Sequence, residues 1–182
     1  MRSEKDKMLS GELYNPFDPQ LCAERREARL LVKRLNDTGD DQVEERKRLI
    51  EKLLRSAGEG AWIEPPFFCD YGSNITLGDD VFFNFNCVVL DVAPVRVGSR
   101  VLFWPAVQVY AATHPLRVAD RRAKRELGAR IEIGDDVWIG GGVIICPGVR
   151  IGARSAVGAG SVVTKDITEG VVAAGNPCRI LR

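Results

Sequence analysis

The chain holds a single histidine, His114, and its neighbours are as informative as the residue itself. Imidazole is the side chain whose ordinary pKa lies near neutrality, so it suits the removal of a proton from a hydroxyl that becomes nucleophilic only as that proton leaves. Pro115 comes next and biases the histidine toward extended backbone. Together they open a polar stretch, AATHPLRVADRRAKRELGAR over 111–130, that has no apolar period. Long loops inside an otherwise regular repeat usually carry function or disorder. On residue type alone, a lone loop histidine is more often structural than catalytic.

The element that must position this loop is a repeat. Ile133, Ile139, Ile145, Ile151, Val157 and Val163 fall six residues apart without a slip. Helices recur at three and four and strands alternate at two, so a strict six describes a chain that turns a corner every sixth residue. Four of those aliphatics are followed by Gly134, Gly140, Gly152 and Gly158, and branched or small residues sit two places before each, at Ile131, Val137, Val143, Val149, Ser155 and Ser161. Short flat strands joined by tight corners, stacked so that each coil buries the next, satisfy the pattern. The same step runs through Leu77, Phe83 and Val89, shifts by two at Ala93 and Pro94, and resumes at Val97, Phe103 and Val109. Twelve hexads from Leu77 to Val163 predict four full coils, preceded by a ragged one that starts near Trp62. Phe82, Phe83, Phe85, Phe103 and Trp104 are too many large rings for a narrow core, so some must face outward toward a partner.

The runs IGDDVWIGGGVIICPGVRIG, GAGSVVTKDI and AAGNPCRI resemble the hexapeptide-repeat acyltransferases, whose fold is a left-handed parallel β-helix with three strands per coil. MLSGELYNP, WIEPPFFCDYGSNI, NFNCVVLDV and ATHPL are similar to the maltose and galactoside O-acetyltransferases within that family, so the resemblance covers nearly the whole chain. It implies a mainly β protein that moves an acetyl group directly from acetyl-CoA to a sugar hydroxyl, with no metal. His114, in the matching THP, is then the general base, and Asn84, Asp70, Glu126 and Asp91 fall at or beside acceptor-binding positions. An amide that both donates and accepts suits a hydroxyl that must be held while it loses a proton. The plain alternatives are a left-handed turn for Asn84 and a corner cap or an arginine pair for any of the three acids. Where relatives often carry a second acid after the LDV aspartate, this chain has Val92.

The same resemblance places acetyl-CoA in a groove between subunits of a homotrimer. Trp138, Gly141 and Gly142 lie beside the pantetheine arm, Ala159 and Gly160 where backbone amides meet it, and Thr164, Lys165, Arg179 and Arg182 near the nucleotide. In LFWPAV over 102–107, Trp104 and Ala106 depart from the small residue and glycine that usually flank the proline in the resembling family. Related carbonic anhydrases bind zinc with three histidines, which one histidine cannot supply. Two readings remain beside a sugar acetyltransferase. One is the same chemistry on a xenobiotic or serine, the other a scaffold, which would need only the hexads and not the loop.

Composition agrees with one solenoid and an appendage. The 182 residues divide into an N-terminal helical segment over 1–60 and the β-helix over 61–182, from which 111–130 is extruded. Asp18 and Pro19 read as cap and first position of a helix carrying Leu21, Ala28, Leu31 and Leu35. A second helix is expected over about 41–57, with Val43, Ile50, Leu53 and Leu54 on one face and a solvated face of paired charges opposite. Twenty-six basic residues against 25 acidic give no field that points to nucleic acid or membrane. Five scattered cysteines without a CxxC pair read as reduced thiols. The start is too polar for a signal peptide and no apolar run spans a membrane, so the expected location is cytoplasmic.

Overall fold

The hexads wind into a three-faced prism of stacked parallel strands, and the computed structural model of the chain describes residues 2–182. Each coil visits the faces in the same order. The first face stacks Ile75–Leu77, Val95–Val97, Ile131–Ile133 and Arg150–Ile151. Trp62–Ile63, Phe82–Phe83, Leu102–Phe103, Trp138–Ile139, Ala156–Val157 and Val172–Ala174 form the second. The third consists of Phe67–Cys69, Cys87–Leu90, Gln108–Tyr110, Ile144–Ile145 and Val162–Val163.

Register follows from the step of six. Ile133 lies between Val97 and Ile151, Ile139 between Phe103 and Val157, and Ile145 between Val109 and Val163. All are buried, as are their companions Ile131, Val137 and Val143. At roughly 1.5–3 kcal/mol per fully buried branched side chain, this column is the main source of stability. Phe83 and Phe103 fill the core as a parallel stack with centroids 4.1 Å apart, and Phe67 meets Phe83 edge-on at 5.6 Å. Phe85 and Trp104 point outward, half exposed, as the crowding of rings requires.

The twelve hexads make four full coils, but the prism is ragged at both ends, not only the first. After Val163 the step shortens to four at Ile167 and returns to six at Ala173, and both are buried. Ile167 bridges to Ile151, Val172–Ala174 extends the second face, and Arg179–Ile180 folds back antiparallel on it. A strict count of six passes over that shortened step.

Three helices precede the first coil: α1 (Glu4–Leu9), α2 (Pro19–Asn36) and α3 (Val43–Leu53); α2 and α3 pack on that coil, and α1 packs on α2 and on Leu127–Gly128 of the extruded segment. The polar start conceals α1, which Ser3 and Asp6 close with a reciprocal capping box. Asp18 caps α2 through the amides of Gln20 and Leu21. Its buried stripe is Leu21, Ala28, Val32 and Leu35, with Leu31 half-buried at the side. The second expected helix stops at Leu53 rather than near residue 57. Beyond it the amides of Arg55 and Gly58 donate to Ile75 and Leu77 carbonyls, so this stretch joins the first face instead of continuing the helix. Val43 is exposed, and Leu49 and Arg46 take the buried face. Arg46 is buried because it has partners: it donates to Glu64 at 3.0 Å and Thr38 at 3.0 Å and lies over the Trp62 ring. All five cysteines are free thiols. Among the described residues, no helix is long and apolar enough to cross a membrane.

Candidate active site

The segment 111–130 leaves the prism at the corner between the third and first faces. It has some structure of its own: Ala112–Thr113 pairs antiparallel with Leu127–Gly128, and α4 (Val118–Arg122) forms its far end. His114 stands just past that short ladder, exposed at the loop root. A cavity of ≈ 380 Å³ opens beside it, lined by His114, Asp70 and Glu126 together with Tyr14, Arg25, Arg29 and Val92. Three of the candidates read from sequence therefore meet in one place, Asp70 from the turn over 70–74 and His114 and Glu126 from the two limbs of the loop.

Each wall has a local cause. Asp70 projects from the turn over 70–74, and burial pushes its carboxyl up, opposed by the guanidiniums of Arg25 and Arg29. Arg25, on α2, donates to the hydroxyl of Tyr71 and the carbonyl of Pro16, which ties the helix to the turn over 70–74 and to the segment before it. Glu126 lies on the returning limb of the loop. Its backbone exchanges hydrogen bonds of 3.0 and 3.2 Å with Tyr14, and its Oε2 accepts from the Tyr14 hydroxyl at 2.9 Å. Burial, then the Glu126 charge, push the Tyr14 phenol well above its usual range, so it remains a donor.

Asp91 is placed differently from the expectation of an acceptor contact. It is fully buried and lies behind the cavity wall. Its Oδ1 accepts the amides of Asp70 and Tyr71 at 3.0 and 2.8 Å, its Oδ2 the amide of Asn74 at 3.3 Å, and Asn74 Nδ2 donates back to its carbonyl. With both oxygens occupied by the turn over 70–74, Asp91 shapes the wall, and Val92 is the residue that lines it. Burial pushes the Asp91 carboxyl up to about 6 despite those amides.

Asn84 is not in the cavity either. It lies at the corner between the second and third faces, where its Oδ1 accepts the amide of Phe85. The left-handed asparagine of NFN is Asn86. At that corner Asn86, Ala106, Gly142 and Gly160 all have φ between 60 and 69°. Their amides donate down the column to Pro66, Phe85, Pro105 and Gly141. Gly141 and Ala159 precede the last two, and Trp138 opens the same edge, set edge-on to Trp104 with centroids 5.9 Å apart. A Cβ built on Gly142 or Gly160 would meet nothing within 4 Å, so this edge is open to close approach by a long ligand. Thr164 and Lys165 sit instead at the third-to-first corner, while Arg179 lies on the antiparallel return strand and Arg182 just beyond it, both exposed.

Sequence reasoning did not find Tyr14, Arg25 or Arg29 as site residues. For Arg25 a signal existed: it falls within the stripe Leu21, Arg25, Ala28, Val32, and a charge inside an apolar stripe needs a partner. Tyr14 had none, because its partner lies 112 residues away.

The pattern of the maltose acetyltransferase hexapeptide capping motif matches residues 7–58, and that of the bacterial transferase hexapeptide, six repeats, matches 130–165. Nodulation protein L of Rhizobium meliloti (strain 1021) is 48% identical over 98% of this chain and 98% of its own length. A maltose O-acetyltransferase from Clostridium difficile 630 superposes with a TM-score of 0.98 at 44% identity, covering 100% of this chain and 97% of its own. A galactoside acetyltransferase in complex with coenzyme A superposes at 0.96 and 38% identity, covering 100% and 91%. Similarity of that extent, over the helices and the coils alike, places the chain in the galactoside and maltose O-acetyltransferase family of hexapeptide-repeat acetyltransferases.

Proposed function

We propose that the chain transfers the acetyl group of acetyl-CoA to a hydroxyl of a sugar of the maltose, glucose or galactoside kind, with His114 as general base. The observation that carries this reading is the cavity at the loop root, where the chain's single histidine shares ≈ 380 Å³ with two carboxylates, two guanidiniums and aromatic rings. Carboxylates and guanidiniums hydrogen-bond adjacent hydroxyls, and the rings of Phe17 and Tyr110 offer the apolar face of a sugar a flat surface. His114 takes the proton of the bound hydroxyl while its oxygen attacks the thioester carbonyl. Collapse of the adduct breaks the carbon–sulfur bond, and the imidazolium returns the proton to the departing thiolate. Asp70 and Glu126 hold the acceptor for that attack.

The second-to-third corner fits the donor. Its left-handed, unobstructed Gly142 and Gly160 allow backbone amides to approach the pantetheine arm, beside Gly141, Ala159 and Trp138. Lys165, Arg179 and Arg182 are exposed and answer its phosphates as charges. A similar solved structure is described as a complex with coenzyme A. Trp104, half exposed against Trp138, narrows this edge.

Asn84, whose amide would hold the acceptor hydroxyl beside His114 of the next subunit, lies at a different corner of its own chain, separated from His114 by the third face. A homotrimer in which one subunit's second-to-third corner meets the next subunit's third-to-first corner would unite them and cover Phe85 and Trp104. Thiol release from acetyl-CoA across maltose, glucose, galactosides, chloramphenicol and serine tests the reading. Turnover should be fastest with a sugar and lost in His114→Ala; release with chloramphenicol or serine but with no sugar would overturn the acceptor assignment.

A further inference from the structure

The hydroxyl of Tyr14 has no place in the acetyl transfer itself, yet it is one of the most completely enclosed polar groups in the molecule. Tyr14 is 0% exposed. Its ring lines the cavity, and its hydroxyl, 2.9 Å from Glu126 Oε2, is the side-chain contact between the N-terminal segment and a carboxylate on the extruded loop. The backbone of the two residues is already joined by an antiparallel bridge, and Arg125 reaches Glu4 at 3.4 Å beside it. The loop limb is therefore docked without the phenol. What the phenol adds is direction: it holds the Glu126 carboxylate by one oxygen, Oε2.

We infer that Tyr14 is a positioning residue for acceptor selectivity, orienting Glu126 so that its second oxygen accepts a hydroxyl of the acceptor next to the one that reacts. This rests on the cavity being the acceptor site, whichever hydroxyl compound occupies it. Two features set Tyr14 apart from a packing residue. A buried hydroxyl could have been satisfied by a backbone carbonyl, but this one points to a carboxylate in the cavity wall. The ring is also held independently, in a cluster with Met8, Leu21, Tyr71 and Val92, so removing the hydroxyl leaves the wall standing.

Tyr14→Phe isolates that hydroxyl. One hydrogen bond is worth ~0.5–1.5 kcal/mol, so the acceptor KM should rise by about two- to tenfold while the KM for acetyl-CoA stays unchanged. The decisive comparison is made in a Glu126→Ala background, where Tyr14→Phe should have no further effect on acceptor KM, because the carboxylate it aims is gone. Thermal unfolding of each variant separates aim from folding. An unchanged acceptor KM in Tyr14→Phe, an equal rise for acetyl-CoA, or full additivity with Glu126→Ala would overturn the inference. The measurement uses whichever acceptor the wild-type enzyme turns over, so failure on every sugar falls on the sugar reading and leaves the role of Tyr14 to be judged on the acceptor that works.

Discussion

His114 is where the chemistry is wagered, and its exposed position at a loop root separates that wager from folding. His114→Ala should lower turnover by about 10²–10⁴-fold, the usual contribution of a positioned base, without moving the thermal midpoint. Asp91 is the opposite case, buried and committed to the turn that carries Asp70. A carboxyl whose pKa is raised in the folded chain favours folding most when protonated. Its contribution is therefore largest below the ordinary value near 4 and declines as pH rises through about 6. Asp91→Asn removes this titration and loses an acceptor for the amides, leaving the raised Asp70 beside it in place. In denaturant unfolding the wild type should be the more stable, by a margin that narrows between pH 4 and 7 by at most about 3 kcal/mol. A margin independent of pH would contradict this. At this scale the sequence showed residue types but not directions. His114, Asp70 and Glu126 could be singled out, whereas nothing in LDV distinguishes an aspartate facing a sugar from one facing three backbone amides.

The coils were legible because a step of six permits few structures, and the inward column from Ile131 to Val163 lies where the count puts it. Legibility failed where the step changed. Ile167 comes four residues after Val163 and still closes the core, and Leu54 leaves its helix because Arg55 and Gly58 find carbonyl partners on the first face. Such choices depend on neighbours distant in sequence, which local propensity does not report. The stacked pair Phe83 and Phe103 joins two coils through one parallel contact. Phe103→Ala should cost about 3–5 kcal/mol and broaden the unfolding transition, whereas Trp104→Ala, half exposed at the next position, should cost far less. Equal losses for the two would show that the inward and outward assignments are wrong.

Across the whole molecule, two half-sites lie on different edges of one prism: the cavity with His114 at the third-to-first corner, and the open column from Asn84 to Gly160 at the second-to-third. The proposed trimer joins them, and light scattering should give three times the mass of the 20.1 kDa chain. The most direct test mixes two inactive proteins. His114→Ala and Asn84→Ala, unfolded together and refolded as mixed assemblies, should regain activity in about a quarter of the sites, because one interface of each mixed trimer pairs an intact histidine with an intact asparagine. Recovery near that level, with none when either variant is refolded alone, is the result expected of a site shared between subunits. Mixed trimers that form but stay inactive would contradict it.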